Sequence, residues 1–193
     1  MARSGSPSRA KGTLFWTLIA TIVAIDVLTK FIAKSTLVPY RMPREVVGEW
    51  VRFTLVFNQG AAFGLHLGPW SRQIFLLLTL VALVILGRLY KDTRLDDRVR
   101  VIALGLVCGG AIGNLIDRVR SSVGVVDFLD VGFGNWRWPT FNVADIAVTT
   151  GAILLAWALW GEDREREESR RQLAETTSFE GTGNRQQETG TGS

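Results

Sequence analysis

Four stretches of this chain, 13–33, 71–90, 99–116 and 141–160, are almost continuously apolar, and each is close to the ~20 residues that a helix needs to cross a bilayer. In hydrocarbon the backbone must satisfy its own polar groups, and a helix does so within one segment. The pattern therefore predicts an all-α transmembrane fold, a four-helix polytopic protein with both ends on one side. Residues 1–12 are short, polar and basic, 13–160 form the membrane domain, and 161–193 make a charged tail whose composition predicts disorder. A basic start followed by an apolar run also fits a signal peptide, but Asp26 and Lys30 interrupt this run and no small-x-small cleavage site closes it. It reads as an uncleaved first helix.

Between the first two runs, Pro39, Pro43 and several charges exclude a crossing. There Val51, Phe53, Leu55 and Phe57 alternate with Arg52, Thr54, Val56 and Asn58, the period of two of an amphipathic strand. Glu45, Val46 and Val47 offer a partner strand, with Gly48 near the turn, and the strand ends at Asn58-Gln59-Gly60. A small outward-facing β-sheet lying on the membrane surface follows, with an extracytoplasmic loop or short helix beside it. Trp136 and Trp138 stand where rings gather at headgroup level.

Orientation comes from the basic residues. Arg3, Arg9 and Lys11, then Arg88, Lys91, Arg94, Arg98 and Arg100, then Arg164 and Arg166 all fall on one side of a four-crossing topology. That side is expected to be cytoplasmic, with both termini inside and the remaining loops facing out. The formal net charge of +4 does not point to nucleic acid, because the basic residues flank apolar runs instead of forming a stripe with interleaved aromatics. Membrane lipid is the partner that such flanks fit. One cysteine, Cys108, and one histidine, His66, exclude an intramolecular disulfide and a Cys or multi-His metal cluster. No metal and no cofactor is expected.

The chemistry-bearing residues gather at the ends of the apolar runs. Asn114, Asp117 and Arg118 close the third, Asn142 and Asp145 open the fourth, and Asp127 and Asp130 lie between them. Ionisable groups at that depth are costly unless they face a partner or a water-filled cleft. Two carboxyls sharing a site cannot both ionise cheaply, so one keeps its proton while the other acts as base, and such a pair can activate a water against a peptide carbonyl. Asn58, Asn114 and Asn142 supply amide donors to orient the acids or hold substrate backbone. Arg118 can neutralise a carboxylate or bind a phosphate. Structural readings stand beside these: Asp117 with Arg118 as an ion pair, Asp145 placed at the positive end of its helix, and Asp26 with Lys30, four apart, neutralising each other while Lys30 snorkels. Spacing alone does not choose between Asp127 and Asp130.

The order and detail of five motifs resemble the bacterial lipoprotein signal peptidase family, also called signal peptidase II. They are DVLTK with Asp26 and Lys30, FNQGAAFG with Asn58 and Gly60, GGAIGNLIDR with Asn114, Asp117 and Arg118, VVDF with Asp127, and FNVAD with Asn142 and Asp145. The resemblance implies a multi-pass aspartic endopeptidase of the cytoplasmic (inner) membrane, its active site near the outer leaflet and Asp127 and Asp145 as its catalytic pair. It implies removal of signal peptides from prolipoproteins, cut before a cysteine that already carries diacylglycerol. Asn58, Gly60, Asn114, Arg118 and Asn142 match positions of the substrate cleft, while Asp26, Lys30 and Asp117 match polar positions that support activity or fold. The family is a target of globomycin-type peptide inhibitors, and a monomer is expected. Ile146 departs from the family pattern, which favours a small polar residue after the last aspartate, and the tail beyond Gly161 is long.

Two readings of another class compete. A small ion or proton transporter could use the same acids as a relay, though no inverted repeat or pair of broken helices is visible. A non-enzymatic membrane assembly subunit could dock through the glycine-rich third run.

Overall fold

A computed structural model describes residues 7–59 and 68–188. Among these residues the elements run in the order α1 (Pro7–Thr36), β1 (Arg44–Val47), β2 (Val51–Asn58), a short 3-10 turn (Gly68–Trp70), α2 (Ser71–Asp92), α3 (Arg98–Arg120), β3 (Val125–Phe133), β4 (Trp136–Arg137) and α4 (Val143–Glu188). All four helices are long and apolar enough to cross a membrane, α4 over Val143–Glu162. The chain divides into two compact units, Met1–Leu155 and Ala156–Ser193. Gly60 and His66 lie outside the described residues.

The helices outrun the apolar segments. α1 is described from Pro7, ahead of its apolar run, and α3 extends to Arg120. α4 continues through Glu188, so the backbone of the charged segment is helical where an unstructured tail was expected. Alternating Glu and Arg with Gln and Ala, and no proline after Pro139, give that stretch enough helix propensity to propagate an already nucleated helix.

α3 is the central helix, with over half of its apolar window buried, whereas α2 buries none of its own. Phe15 and Ile19 of α1 pack on Val101, Leu104 and Cys108 of α3. The Tyr90 ring at the end of α2 stacks on Phe15 at 3.9 Å. Gly105, Gly109 and Gly113 recur every fourth residue, so one face of α3 is stripped of side chains and meets Leu18, Ile22 and Asp26 of α1. Gly110 faces the Ala144 carbonyl of α4.

A β-carbon at Gly113 would stand 2.5 Å from Asp26 Oδ2, while at Gly87 of α2 it would meet nothing within 4 Å. Gly113→Ala is therefore expected to cost about 1–3 kcal/mol through overpacking. Gly87→Ala should be neutral or stabilise by up to about 1 kcal/mol. Thermal unfolding in detergent compares the two directly, and equal melting temperatures would refute the close approach of α1 and α3.

The four strands form one antiparallel sheet in the order β1-β2-β3-β4. The expected hairpin of Glu45–Val47 with the alternating strand is present: Glu45 pairs with Arg52 and Val47 with Val51, and Gly48 takes a φ of 49° in the turn. In the β2–β3 register Val56 lies opposite Asp127 and Arg52 opposite Asp130, with an irregularity in between. The sheet is fastened to the helices by a second core, in which Leu55, Val126 and Phe128 meet Ala33 and Leu37 beyond the end of α1's apolar stripe. This anchorage sets β3 beside the start of α4.

Candidate active site

Five elements converge at the sheet end of the helices. β3 carries Asp127, the start of α4 carries Asn142 and Asp145, α3 carries Asn114, Asp117 and Arg118, α1 carries Asp26 and Lys30, and β2 ends on Asn58. Asn142 precedes the first residue of α4, and its side chain does what a helix start requires. Its Oδ1 accepts from the Asp145 N–H at 3.0 Å, and Asp145 Oδ2 accepts from the Asn142 N–H at 3.1 Å. That is a reciprocal capping box with aspartate in place of glutamate. Asp145 is thus both a helix-start acid and a site residue, and the two readings of it coexist.

The same asparagine reaches the second acid. Asn142 Nδ2 donates to Asp127 Oδ1 at 2.7 Å, while Asn58 Nδ2 donates to Asp127 Oδ2 at 3.1 Å. Asn114 Nδ2 donates to Asp145 Oδ1 at 2.8 Å. Asp127 and Asp145 are therefore held at the two ends of one buried side chain, each accepting from two nitrogens. Asp127 is 2% exposed and Asn142 wholly buried, whereas Asp145 is only half-buried. A hollow of about 330 Å³ opens beside Asp145, lined also by Trp138, Phe141, Ile146, Thr149 and Thr150.

Behind the acids, Lys30 Nζ contacts Asp26 Oδ2 at 2.7 Å, Asp117 Oδ2 at 3.1 Å and Asn114 Oδ1 at 2.9 Å. Asp26 Oδ1 accepts from the Ala144 N–H at 2.9 Å, and Asp117 Oδ2 from the Val126 N–H at 3.2 Å. One lysine thereby locks α1, α3, the start of α4 and β3 together. Two structural readings made from sequence are corrected here. Lys30 does not snorkel but is turned inward and 3% exposed, because two carboxylates and an amide receive it there. Asp117 pairs with Lys30 and not with Arg118, because consecutive helical residues do not face each other.

Asp130, three positions beyond Asp127, accepts from Thr54 Oγ1 at 3.0 Å and from Arg137 Nε at 2.8 Å. An odd step along a strand turns it to the other face, where it ties the sheet together. Thr54 and Arg137 were missed from sequence, although the odd spacing of Asp127 and Asp130 could have separated the two acids. Arg72 was missed as well. Its Nε donates to the Arg118 carbonyl at 2.9 Å, joining α2 to the end of α3. The guanidinium of Arg118 lies 5.7 Å from the Phe75 ring and within electrostatic reach of Asp145, Asp127 and Asp117. Its buried Nε has no hydrogen-bond partner among the described residues.

The family description signal peptidase (SPase) II matches residues 18–161. The chain belongs to the signal peptidase II family. It is 41% identical over 170 residues to a lipoprotein signal peptidase of Mycolicibacterium smegmatis, covering 84% of this chain and 68% of that one. A lipoprotein signal peptidase of Syntrophotalea carbinolica is 44% identical over 146 residues, covering 74% and 89%. Two solved structures described as bacterial membrane enzymes, determined in meso at 2.3 and 1.9 Å resolution, superpose with TM-scores of 0.68 and 0.66. They share 31% and 32% identity with this chain, covering 77% and 75% of it and 88% and 91% of their own chains.

In this signal peptidase II the two acids differ in burial. Burial, and after it the charge of Asp145, push the Asp127 carboxyl up to about 7, against the opposing hydrogen bonds from Asn58 and Asn142. Asp145, the less buried of the two, borders the hollow that opens beside the site.

Proposed function

We propose that the chain removes signal peptides from diacylglyceryl-modified prolipoproteins, with Asp127 as the acid and Asp145 as the base. The observation that carries this reading is the shared donor Asn142, whose Nδ2 and backbone N–H bond two carboxyls of different burial. Asp145 takes a proton from water as the oxygen attacks the scissile carbonyl, and Asp127 gives its proton to the carbonyl oxygen. The tetrahedral diol then collapses: Asp145 returns its proton to the leaving nitrogen, and Asp127 recovers one from a diol hydroxyl. Net, one water is added and both acids return to their starting states.

Asn58, Asn114 and Asn142 hold the acids, Gly60 and Arg118 serve the substrate cleft by family likeness, and Asp26, Lys30 and Asp117 set the frame behind them. The hollow between Asp145 and Trp138 receives the segment next to the lipid-modified cysteine, whose acyl chains stay in the bilayer. The peptidase domain is 13–160, a monomer in the cytoplasmic membrane. Residues 1–12 and 161–193 lie on the cytoplasmic side, the sheet faces outward, and the site sits at the outer leaflet. A globomycin-type peptide occupies the same hollow as the substrate.

The test is cleavage of a diacylglyceryl-modified prolipoprotein by the purified protein, followed across pH. Because Asp127 must carry its proton, kcat/KM is expected to fall above about pH 7 and to approach a tenfold loss per unit. Asn58 favours the ionised form of Asp127, so Asn58→Ala should move this alkaline limb to higher pH while lowering the maximum. A flat profile between pH 6 and 9, or cleavage of the unmodified precursor at the same rate, would overturn the assignment.

A further inference from the structure

On the far side of Lys30 from the aspartates, α1 and α3 enclose a hollow of about 420 Å³. Its polar lining includes Lys34, Arg120, Ser121 and Ser122, and its apolar lining includes Val27 and Phe31. A second hollow, of about 470 Å³ and lined only by Ala20, Val23, Ala24, Val27, Leu28 and Phe31, shares Val27 and Phe31 with the first. The two are continuous along one face of α1, since positions 20, 23, 24, 27, 28, 31 and 34 keep the three- and four-residue spacing of a single helical stripe. From Ala20 to Lys34 the stripe runs about 21 Å at 1.5 Å per residue. That exceeds the roughly 15 Å of hydrocarbon in one leaflet.

The charges in this hollow do not cancel internally. Lys30 is committed to Asp26 and Asp117 at its inner wall. Lys34 and Arg120 are exposed, and among the described residues neither has an ion-pair partner. Both stand in the last turns of their helices, where cations offset the negative dipole ends. Lys30, Lys34 and Arg120 stand against Asp117 in the lining and Asp26 behind it, so one formal positive charge remains beside a groove that is apolar along one leaflet.

We infer that this face binds one anionic glycerophospholipid. Its phosphate lies between Lys34 and Arg120, within reach of the Ser121 and Ser122 hydroxyls, and one acyl chain runs down the Ala20–Ala24 groove. The site is distinct from the peptidase cleft, with the Lys30 cluster between them, and it does not depend on which leaflet the sheet end faces. A zwitterionic lipid offers the same phosphate, but its own cation competes with Lys34 and Arg120.

The experiment is native mass spectrometry of the full-length protein in detergent, titrated with phosphatidylglycerol or phosphatidylcholine of matched chains. Wild type is expected to retain phosphatidylglycerol preferentially. The K34Q/R120Q double variant should lose about thirtyfold of this retention, roughly fivefold per cation. Ala24→Phe, which fills the apolar groove and leaves both cations in place, should weaken it severalfold. Equal retention of the two lipids by wild type, or retention by either variant that matches wild type, overturns the inference. So does inorganic phosphate displacing the lipid at equal concentration, because that would leave the groove without a role.

Discussion

Asp127→Asn and Asp145→Asn are each expected to reduce cleavage of a diacylglyceryl-modified prolipoprotein by three orders of magnitude or more, the upper part of the ~10²–10⁴ range for loss of a positioned acid or base. Neither should unfold the protein. Each carboxylate accepts from two nitrogens, Asp127 from Asn142 and Asn58, Asp145 from Asn114 and the Asn142 backbone. An asparagine keeps one of these bonds and turns an NH₂ toward the other donor, so each variant forfeits one hydrogen bond, about 1 kcal/mol. Asp130→Asn is the control. It removes the partner of Arg137 and Thr54 on the opposite face of β3, so activity should persist with a modest loss of stability. Turnover by D127N or D145N within tenfold of wild type, or equal damage from D130N, would contradict the assigned pair. Activity should also survive a chelator, since two carboxyls complete the proton transfers.

Lys30→Met is expected to be the most damaging substitution outside the acid pair. The ammonium is 3% exposed and lies against Asp26, which is fully buried, and Asp117. Without it, two carboxylates face each other with no cation between them, and Asn114 Oδ1 loses a donor. Breaking a buried pair from one side costs about 3–5 kcal/mol, mostly the penalty of the charge left behind. Because Asn114 also holds Asp145, activity should fall together with stability. The double variant K30M/D26N separates the two effects. Neutralising Asp26 should restore a good part of the melting temperature, since an asparagine there can still accept from the Ala144 N–H, while cleavage stays reduced because Asn114 Oδ1 keeps only the Asn142 Nδ2 donor of its two. A melting temperature for Lys30→Met within a degree or two of wild type would show that the lysine does not hold these elements together.

Gly113 extends the same argument to the backbone. Asp26 reaches the Ala144 amide past Gly113, where a β-carbon would stand 2.5 Å from its Oδ2. The glycine-rich face of α3 therefore serves packing and site geometry at once.

The four crossings were legible because apolar length is a local property that the bilayer reads directly, and the β1–β2 hairpin was legible because a period of two is equally local. The helix ends were not, since α1 and α3 continue through polar residues such as Lys11 and Asp117, whose partners, the Tyr90 carbonyl and Lys30, are distant in sequence. The motif resemblance singled out Asp127 and Asp145, yet periodicity could not show that both would hydrogen-bond to Asn142. Nor could it show that Lys30 would turn inward, because inward or outward depends on whether Asp117 and Asn114 stand opposite. Residue types alone determined a membrane-spanning chain with buried acids and amides at one end of its helices. The tertiary structure decided which of them share protons and donors, because hydrogen bonds hold over about 3 Å and residues as far apart as Asp26 and Ala144 come that close only once the helices and sheet have docked.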